Sequence, residues 1–295
     1  MPDTPRFEDV HYRSADGRLS LYARDYNRKA ERVVLCLHGL TRNSADFEPL
    51  IAQLAKRLAP THRFVVVDQR GRGRSEWDSD TSQYNLGVYV QDMLRLLDYL
   101  AVSRATFIGT SMGGLISMVL AAGAAARVRG IVLNDIGPKL SPEGLDRIRS
   151  YVGKGKPVLN WADAADAMRD INIEAFPNFG PDDWMAFARR THTERDGRPV
   201  PAYDPAIAQG LAPGSEAVAP PELWDLWAGL SAIPMLAIRG GLSDLLSADT
   251  LNRMADTHPQ ITTVTLPDRG HAPILDEPAA VTAIEAFLRQ QDACA

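Results

Sequence analysis

The chain has 295 residues, 45% hydrophobic and 23% charged, the proportions of an ordinary globular protein with room for a large core, which excludes a disordered chain. A formal net charge of −5 and an isoelectric point near 5.7 exclude the basic footprint that nucleic acid or anionic lipid would require. The opening MPDTPRFEDVHYRSADG lacks the basic flank and apolar core of a signal peptide, no run reaches the ~18 apolar residues of a membrane span, and neither Cys36 nor Cys294 belongs to a CxxC pair, so a reducing, cytoplasmic setting without membrane association is expected.

Residues 7–13 and 18–26 alternate apolar and polar about Gly17, which predicts an antiparallel hairpin at a sheet edge. The runs that follow are different: RVVLCL (32–37), RFVVVD (63–68), ATFIGT (105–110), RGIVLND (129–135), PMLAIRG (234–240) and ITTVTL (261–266) are nearly continuous stretches of the kind found in strands buried on both faces. Helical periodicities separate several of them. FEPLIAQLAKRL (47–58), the stripe Leu86, Val90, Met93, Leu94, Leu97 and Leu100, LISMVLAAG after Gly114, and AAVTAIEAFLRQ (279–290) each draw an apolar face for packing on a sheet. Strand, helix, strand in this order predicts right-handed crossovers and a doubly wound, mostly parallel α/β sheet.

The alternation fails between Pro138 and Leu230. That stretch holds Trp161, Trp184, Trp224 and Trp227 and helix-like pieces such as ADAADAMRDI (162–171), without a convincing buried strand. Structureless loops of about 90 residues are rare inside compact domains, so a helical subdomain inserted over the core is expected. The division is then a core of 1–137 and 231–295 and a cap of 138–230. Lys154-Gly155-Lys156 lacks the preceding strand and spaced glycines of a phosphate loop.

Gly109-Thr110-Ser111-Met112-Gly113 follows a buried run and opens a helical one, the context in which G-x-S-x-G lifts a serine hydroxyl onto a strained turn. There the helix N-terminus offers unpaired N–H groups to a developing oxyanion. The same turn is also compatible with a plain strand-to-helix connection. A serine is a weak nucleophile without a base, and the base needs a partner that fixes its tautomer. His271, in LPDRGHAPILDEP, and Asp244, in IRGGLSDLLS, both follow buried runs and complete the order Ser111, Asp244, His271.

With these motifs in place the sequence resembles the α/β-hydrolase family over most of its length outside the inserted stretch. "LHGL" (37–40) is similar to the family's His-Gly turn after the third strand, "DQRGRGRS" (68–75) to its glycine turn after the fourth, and "GTSMGG" and "GH" (270–271) to its nucleophile and histidine motifs. The resemblance implies an α/β-hydrolase fold with Ser111 as nucleophile, His271 as base, Asp244 as acid, and the N–H groups of Leu40 and Met112 as an oxyanion hole. It also implies a cofactor-free, metal-free enzyme acting on a small-molecule acyl substrate, a carboxylic ester or lactone, and leaves a homodimer open. Perhydrolase or haloperoxidase chemistry, carbon–carbon hydrolysis and a slow small-molecule receptor on the same fold are the alternatives. A serine at this position excludes relatives that open halides or epoxides with an aspartate.

Asp135, in LNDIGP, also ends a predicted strand and is the rival acid, read here as a residue that caps the inserted stretch or supports the site. His38 reads as a structural residue that aims the Leu40 N–H. Arg70, Arg72 and Arg74 read as a solvated loop with ion pairs. Arg42 could meet a substrate carboxylate or pair with a nearby acid, and Trp161, Phe176 and Trp184, with Phe179, could line a pocket or bury a core of their own.

Overall fold

The computed structural model describes residues 5–58, 61–155, 158–211 and 222–293. In chain order the first part contains β1 (Glu8–Arg13), β2 (Ser20–Tyr26), β3 (Arg32–Leu37), α1 (Glu48–Leu58), β4 (His62–Asp68), α2 (Leu86–Tyr99), β5 (Ala105–Thr110), α3 (Met112–Gly123) and β6 (Val128–Asn134). Next come α4 (Pro142–Tyr151), α5 (Trp161–Asn172), α6 (Pro181–Thr191), β7 (His192–Arg195), β8 (Arg198–Pro201) and α7 (Trp224–Ala228). The chain then returns through β9 (Met235–Gly240), α8 (Ala248–Thr257), β10 (Ile261–Leu266) and α9 (Pro278–Ala293).

Eight strands form one sheet in the order β1-β2-β4-β3-β5-β6-β9-β10, antiparallel between β1, β2 and β4 and parallel from β4 onward. Successive residues of the central strands enter opposite apolar layers, because side chains alternate across a pleated sheet. Leu35, Val65, Phe107 and Leu133 pack with Met93 and Leu97 of α2 and Ile116 and Leu120 of α3. Val34, Val66, Ile108 and Val132 pack with Leu50 and Leu54 of α1 and Ile284 and Leu288 of α9. Cys36 is buried in this second layer, which pushes its thiol well above the usual range, while Cys294 lies outside the described residues.

Two expectations are corrected and one is refined. β10 was expected to be buried on both faces, but it is the edge strand, with Thr262, Thr263 and Thr265 exposed; three hydroxyl side chains in six residues suit that half-wet position. The stretch 138–230, expected as a helical subdomain without a buried strand, also carries a short, largely exposed hairpin of β7 and β8 that turns through Asp196 and Gly197, both at positive φ (50° and 74°), as a tight two-residue turn requires.

The third concerns the arginines. Arg70 and Arg72 are fully buried rather than solvated, and only Arg74 is exposed, paired with Asp9. The Arg70 guanidinium donates to Asp92 at 2.7 and 2.9 Å and to Asp78 at 2.8 Å, and the carboxylate of Asp92 also accepts the Ala15 N–H at 2.9 Å. This ion network ties the loop after β4 to α2 and to the first hairpin. Asp92→Asn leaves a buried guanidinium short of one counter-charge and is expected to lower stability by about 3 kcal/mol. Urea unfolding monitored by tryptophan fluorescence checks this; a midpoint equal to the wild type's would show the pair to be energetically idle.

Candidate active site

Ser111 sits between β5 and α3 at φ 51° and ψ −116°, a conformation that costs an L-residue on the order of 1–3 kcal/mol. Its N–H donates to the Asn134 carbonyl at 3.0 Å, and its carbonyl accepts from Gly114 and Leu115, so the strained turn is held from both sides. A Cβ on Gly109 would collide with the Gly113–Gly114 backbone, and one on Gly113 with the Leu37 carbonyl. Glycine on either side of the serine is therefore what lets strand and helix approach closely enough to expose the hydroxyl.

The structure brings Ser111 and His271 together: His271 Nε2 lies 2.9 Å from Ser111 Oγ. The other ring nitrogen, Nδ1, lies 2.8 Å from Asp135 Oδ2. Asp135 follows β6, the strand next to β5, and is fully buried. Its Oδ1 accepts the Gly240 N–H at 2.7 Å and its Oδ2 also accepts the Ser243 hydroxyl at 2.6 Å, so both oxygens are fixed toward the imidazole. This arrangement selects the tautomer with the proton on Nδ1 and leaves Nε2 to accept from serine.

Asp244, the acid expected first, does not hydrogen-bond the imidazole among the described residues; Asp135, the rival acid, does, and it supports the site rather than capping the inserted stretch. Asp244 is turned toward α4, where Arg147 Nε and Nη2 donate to its two oxygens at 2.5 and 2.9 Å. Burial pushes its carboxyl up, but the Arg147 guanidinium outweighs that and holds it below the usual carboxylate range. The two aspartates lie in neighbouring loops, and the side-chain direction that separates them is invisible in sequence.

Among the described residues the N–H groups of Leu40 and Met112 donate no hydrogen bond inside the protein, and Leu40 lines the same cavity as Ser111. Behind Leu40, His38 Nδ1 donates to the Gly39 carbonyl at 2.7 Å while Nε2 accepts the Gln69 N–H at 3.0 Å. Burial pulls the His38 pKa down to about 3, so the ring is neutral and serves as a fixed strut.

Ser111 and His271 open into a cavity of about 660 Å³ also lined by Arg42, Ile148, Tyr151, Phe187 and Tyr203. Arg42 is held by Asp46 at 3.0 Å and stacks 4.1 Å above the Phe187 ring. Phe176 and Trp184 lie outside the cavity wall; they pack with Phe179 and Phe187 into an aromatic core of the inserted stretch. Trp161 packs at the edge of that core and stacks under Arg189. Phe187, the ring of that group that does reach the cavity, carries no sequence signal beyond its place on an amphipathic helix. A second cavity of about 330 Å³, lined by Arg147, Tyr151, Leu242 and Asp244, touches the serine–histidine pair only at His271.

Comparison with known proteins agrees with this fold. The model for the alpha/beta hydrolase family matches residues 34–284. The chain is 35% identical to a 3-hydroxybutyrate-oligomer hydrolase from Cupriavidus necator, covering 97% of this chain and 99% of that protein. It is 29% identical to a 2-(acetamidomethylene)succinate hydrolase from Mesorhizobium japonicum over 86% of each. Among solved structures, an alpha/beta hydrolase from Novosphingobium aromaticivorans superposes with a TM-score of 0.89 at 41% identity, covering 97% of this chain and 99% of the other.

The hydrogen bonding predicts unequal effects for the two aspartates. Asp135→Asn should lower kcat/KM on an activated aryl ester by about 10⁴-fold, because the amide no longer selects the imidazole tautomer. Asp244→Asn, which loosens only the bond to Arg147, should cost less than about tenfold, since a half-exposed ion pair contributes little. Steady-state kinetics of both variants decide it, and the reverse ranking would return the acid role to Asp244.

Proposed function

The chain belongs to the alpha/beta hydrolase family, and from that premise we propose that it is a serine hydrolase of short esters built from hydroxy acids, working through Ser111, His271 and Asp135. The observation that carries this reading is the unbroken relay from Ser111 Oγ through His271 to the buried Asp135 carboxylate, opening directly into the larger cavity.

In this reading His271 Nε2 takes the serine proton as Oγ attacks the ester carbonyl. Asp135 stabilises the imidazolium that forms and keeps its own charge. The oxyanion settles against the N–H groups of Leu40 and Met112, where the start of α3 adds a partial positive charge. His271 then returns the proton to the leaving alcohol, and water releases the acyl group from Ser111 by the same steps in reverse.

Substrate class rests on two supports. The near full-length relative named for 3-hydroxybutyrate oligomers supplies one. The division of the site supplies the other. The larger cavity falls within the ~300–1,000 Å³ typical of small-molecule sites and contains the serine, which suits an acyl chain of one or two hydroxyacyl units. The smaller cavity meets the relay at the residue that protonates the leaving group, which suits the departing hydroxy acid.

A fluorophosphonate probe should label the wild type at Ser111 and leave Ser111→Ala unlabelled, with kcat on the 3-hydroxybutyrate dimer falling by about 10⁶-fold in that variant. Mass spectrometry locates the label. On the wild type, dimers and trimers of 3-hydroxybutyrate should be cleaved with higher kcat/KM than p-nitrophenyl esters of long fatty acids. A preference for the fatty acyl series would overturn the substrate class while leaving the nucleophile in place.

A further inference from the structure

Arg72 is a buried cation with no carboxylate in ion-pair range among the described residues, although Arg70, two positions earlier and equally buried, has two. Burying a charge without a counter-charge is costly, and such a group persists where fixed dipoles solvate it. Arg72 is solvated in that way. Nε donates to the Leu40 carbonyl at 2.9 Å, and Nη1 donates to the Arg70 carbonyl and the Tyr89 hydroxyl, both at 2.8 Å. Nη2 lies 3.8 Å from Met112 Sδ, and the Tyr89 and Tyr84 rings lie 5.0 and 5.6 Å from its central carbon. The electron-rich ring faces add to the stabilisation.

Two of these contacts are Leu40 and Met112. They come from separate segments, the turn after β3 and the first residue of α3, and Arg72 is the side chain whose planar fork reaches both. We infer that Arg72 is a positioning residue for the oxyanion site. It holds Leu40 through its carbonyl, in the peptide that follows the N–H, and Met112 through its side chain, so that the two residues and their N–H groups keep one separation as charge develops on the substrate oxygen. It also sets a permanent positive charge behind them in a dry environment, where such charges act most strongly. Lysine cannot reproduce this, since one ammonium cannot offer divergent donors to both segments from a fixed plane. The inference rests on the Ser111 reading above.

The test compares Arg72→Lys and Arg72→Met with the wild type on p-nitrophenyl acetate and on the 3-hydroxybutyrate dimer, with thermal unfolding of each variant in parallel. A positioning role predicts that kcat falls by about 100-fold with KM within about threefold, as for loss of an oxyanion donor. The rate of fluorophosphonate labelling and the affinity for a trifluoromethyl ketone should fall in step with kcat/KM, because both place negative charge on the same N–H groups. Arg72→Lys should rescue little although it keeps the charge. Folded variants with wild-type kcat and ketone affinity would overturn the role, and so would a loss expressed in KM alone. If neither substitution at Arg72 folds, Tyr89→Phe carries the test by removing one anchor of the guanidinium. A kcat reduced severalfold at unchanged KM and unchanged melting temperature supports the role, and unchanged kcat overturns it. Labelling that persists in Ser111→Ala would instead refute the nucleophile, so the two failures are separable.

Discussion

The site depends on a backbone constraint: a serine held at positive φ between a strand and a helix that nearly touch. A strained turn of this kind survives only where its surroundings leave no relaxed alternative. Here Gly109 and Gly113 remove the side chains that would force strand and helix apart, and the Asn134 carbonyl on the neighbouring strand holds the Ser111 N–H. The hydroxyl is thereby fixed at the sheet's C-terminal edge, and the imidazole has one place to meet it. Everything downstream, including the start of α3 and the cavity in front, inherits its position from this turn.

Much of the frame was legible in the sequence because burial on two faces leaves a strong imprint. The runs at 32–37 and 105–110 coincide with β3 and β5 residue for residue, since a central parallel strand has no wet side to interrupt its apolar character. The motifs containing Ser111 and His271 were visible for a related reason: glycines at fixed offsets are demanded by close backbone approach. The acid was not legible. Both Asp135 and Asp244 end strands, and choosing between them requires knowing which carboxylate points inward across β6 and β9. That direction is set by the Gly240 N–H and the Ser243 hydroxyl, groups more than one hundred residues from Asp135. The aromatic residues of the inserted stretch divided for a similar reason. Helical spacing shows that Trp184 and Phe187 share a side of α6, and only packing shows that Phe176 joins them from the preceding loop and that Phe187 is the ring left facing the cavity.

The arginine-rich loop after β4 illustrates how composition misleads. Three arginines in five residues suggest a wet surface, yet two are sealed inside and are handled in opposite ways. Arg70 is neutralised by Asp78 and Asp92, carboxylates supplied from eight and twenty-two residues away. Arg72 has no carboxylate in ion-pair range among the described residues and is surrounded by carbonyls, a hydroxyl and ring faces. The first arrangement binds separate elements of the fold together. The second keeps net positive charge close to the place where the proposed chemistry creates negative charge. Neighbouring positions in one loop thus divide scaffolding from electrostatics, a distinction that a count of charges conceals.

With the histidine's partner on the loop after β6, the loop after β9 has no hydrogen bond to the imidazole to preserve. Its Asp244 is instead half of a clasp to Arg147 on α4, reinforced by the Gly144 N–H on the Asp244 carbonyl at 3.1 Å. That clasp lines the smaller cavity. Substitution of Asp244 or Arg147 therefore recharges this wall and changes how α4 is moored, while the Gly240 and Ser243 bonds that hold Asp135 stay in place.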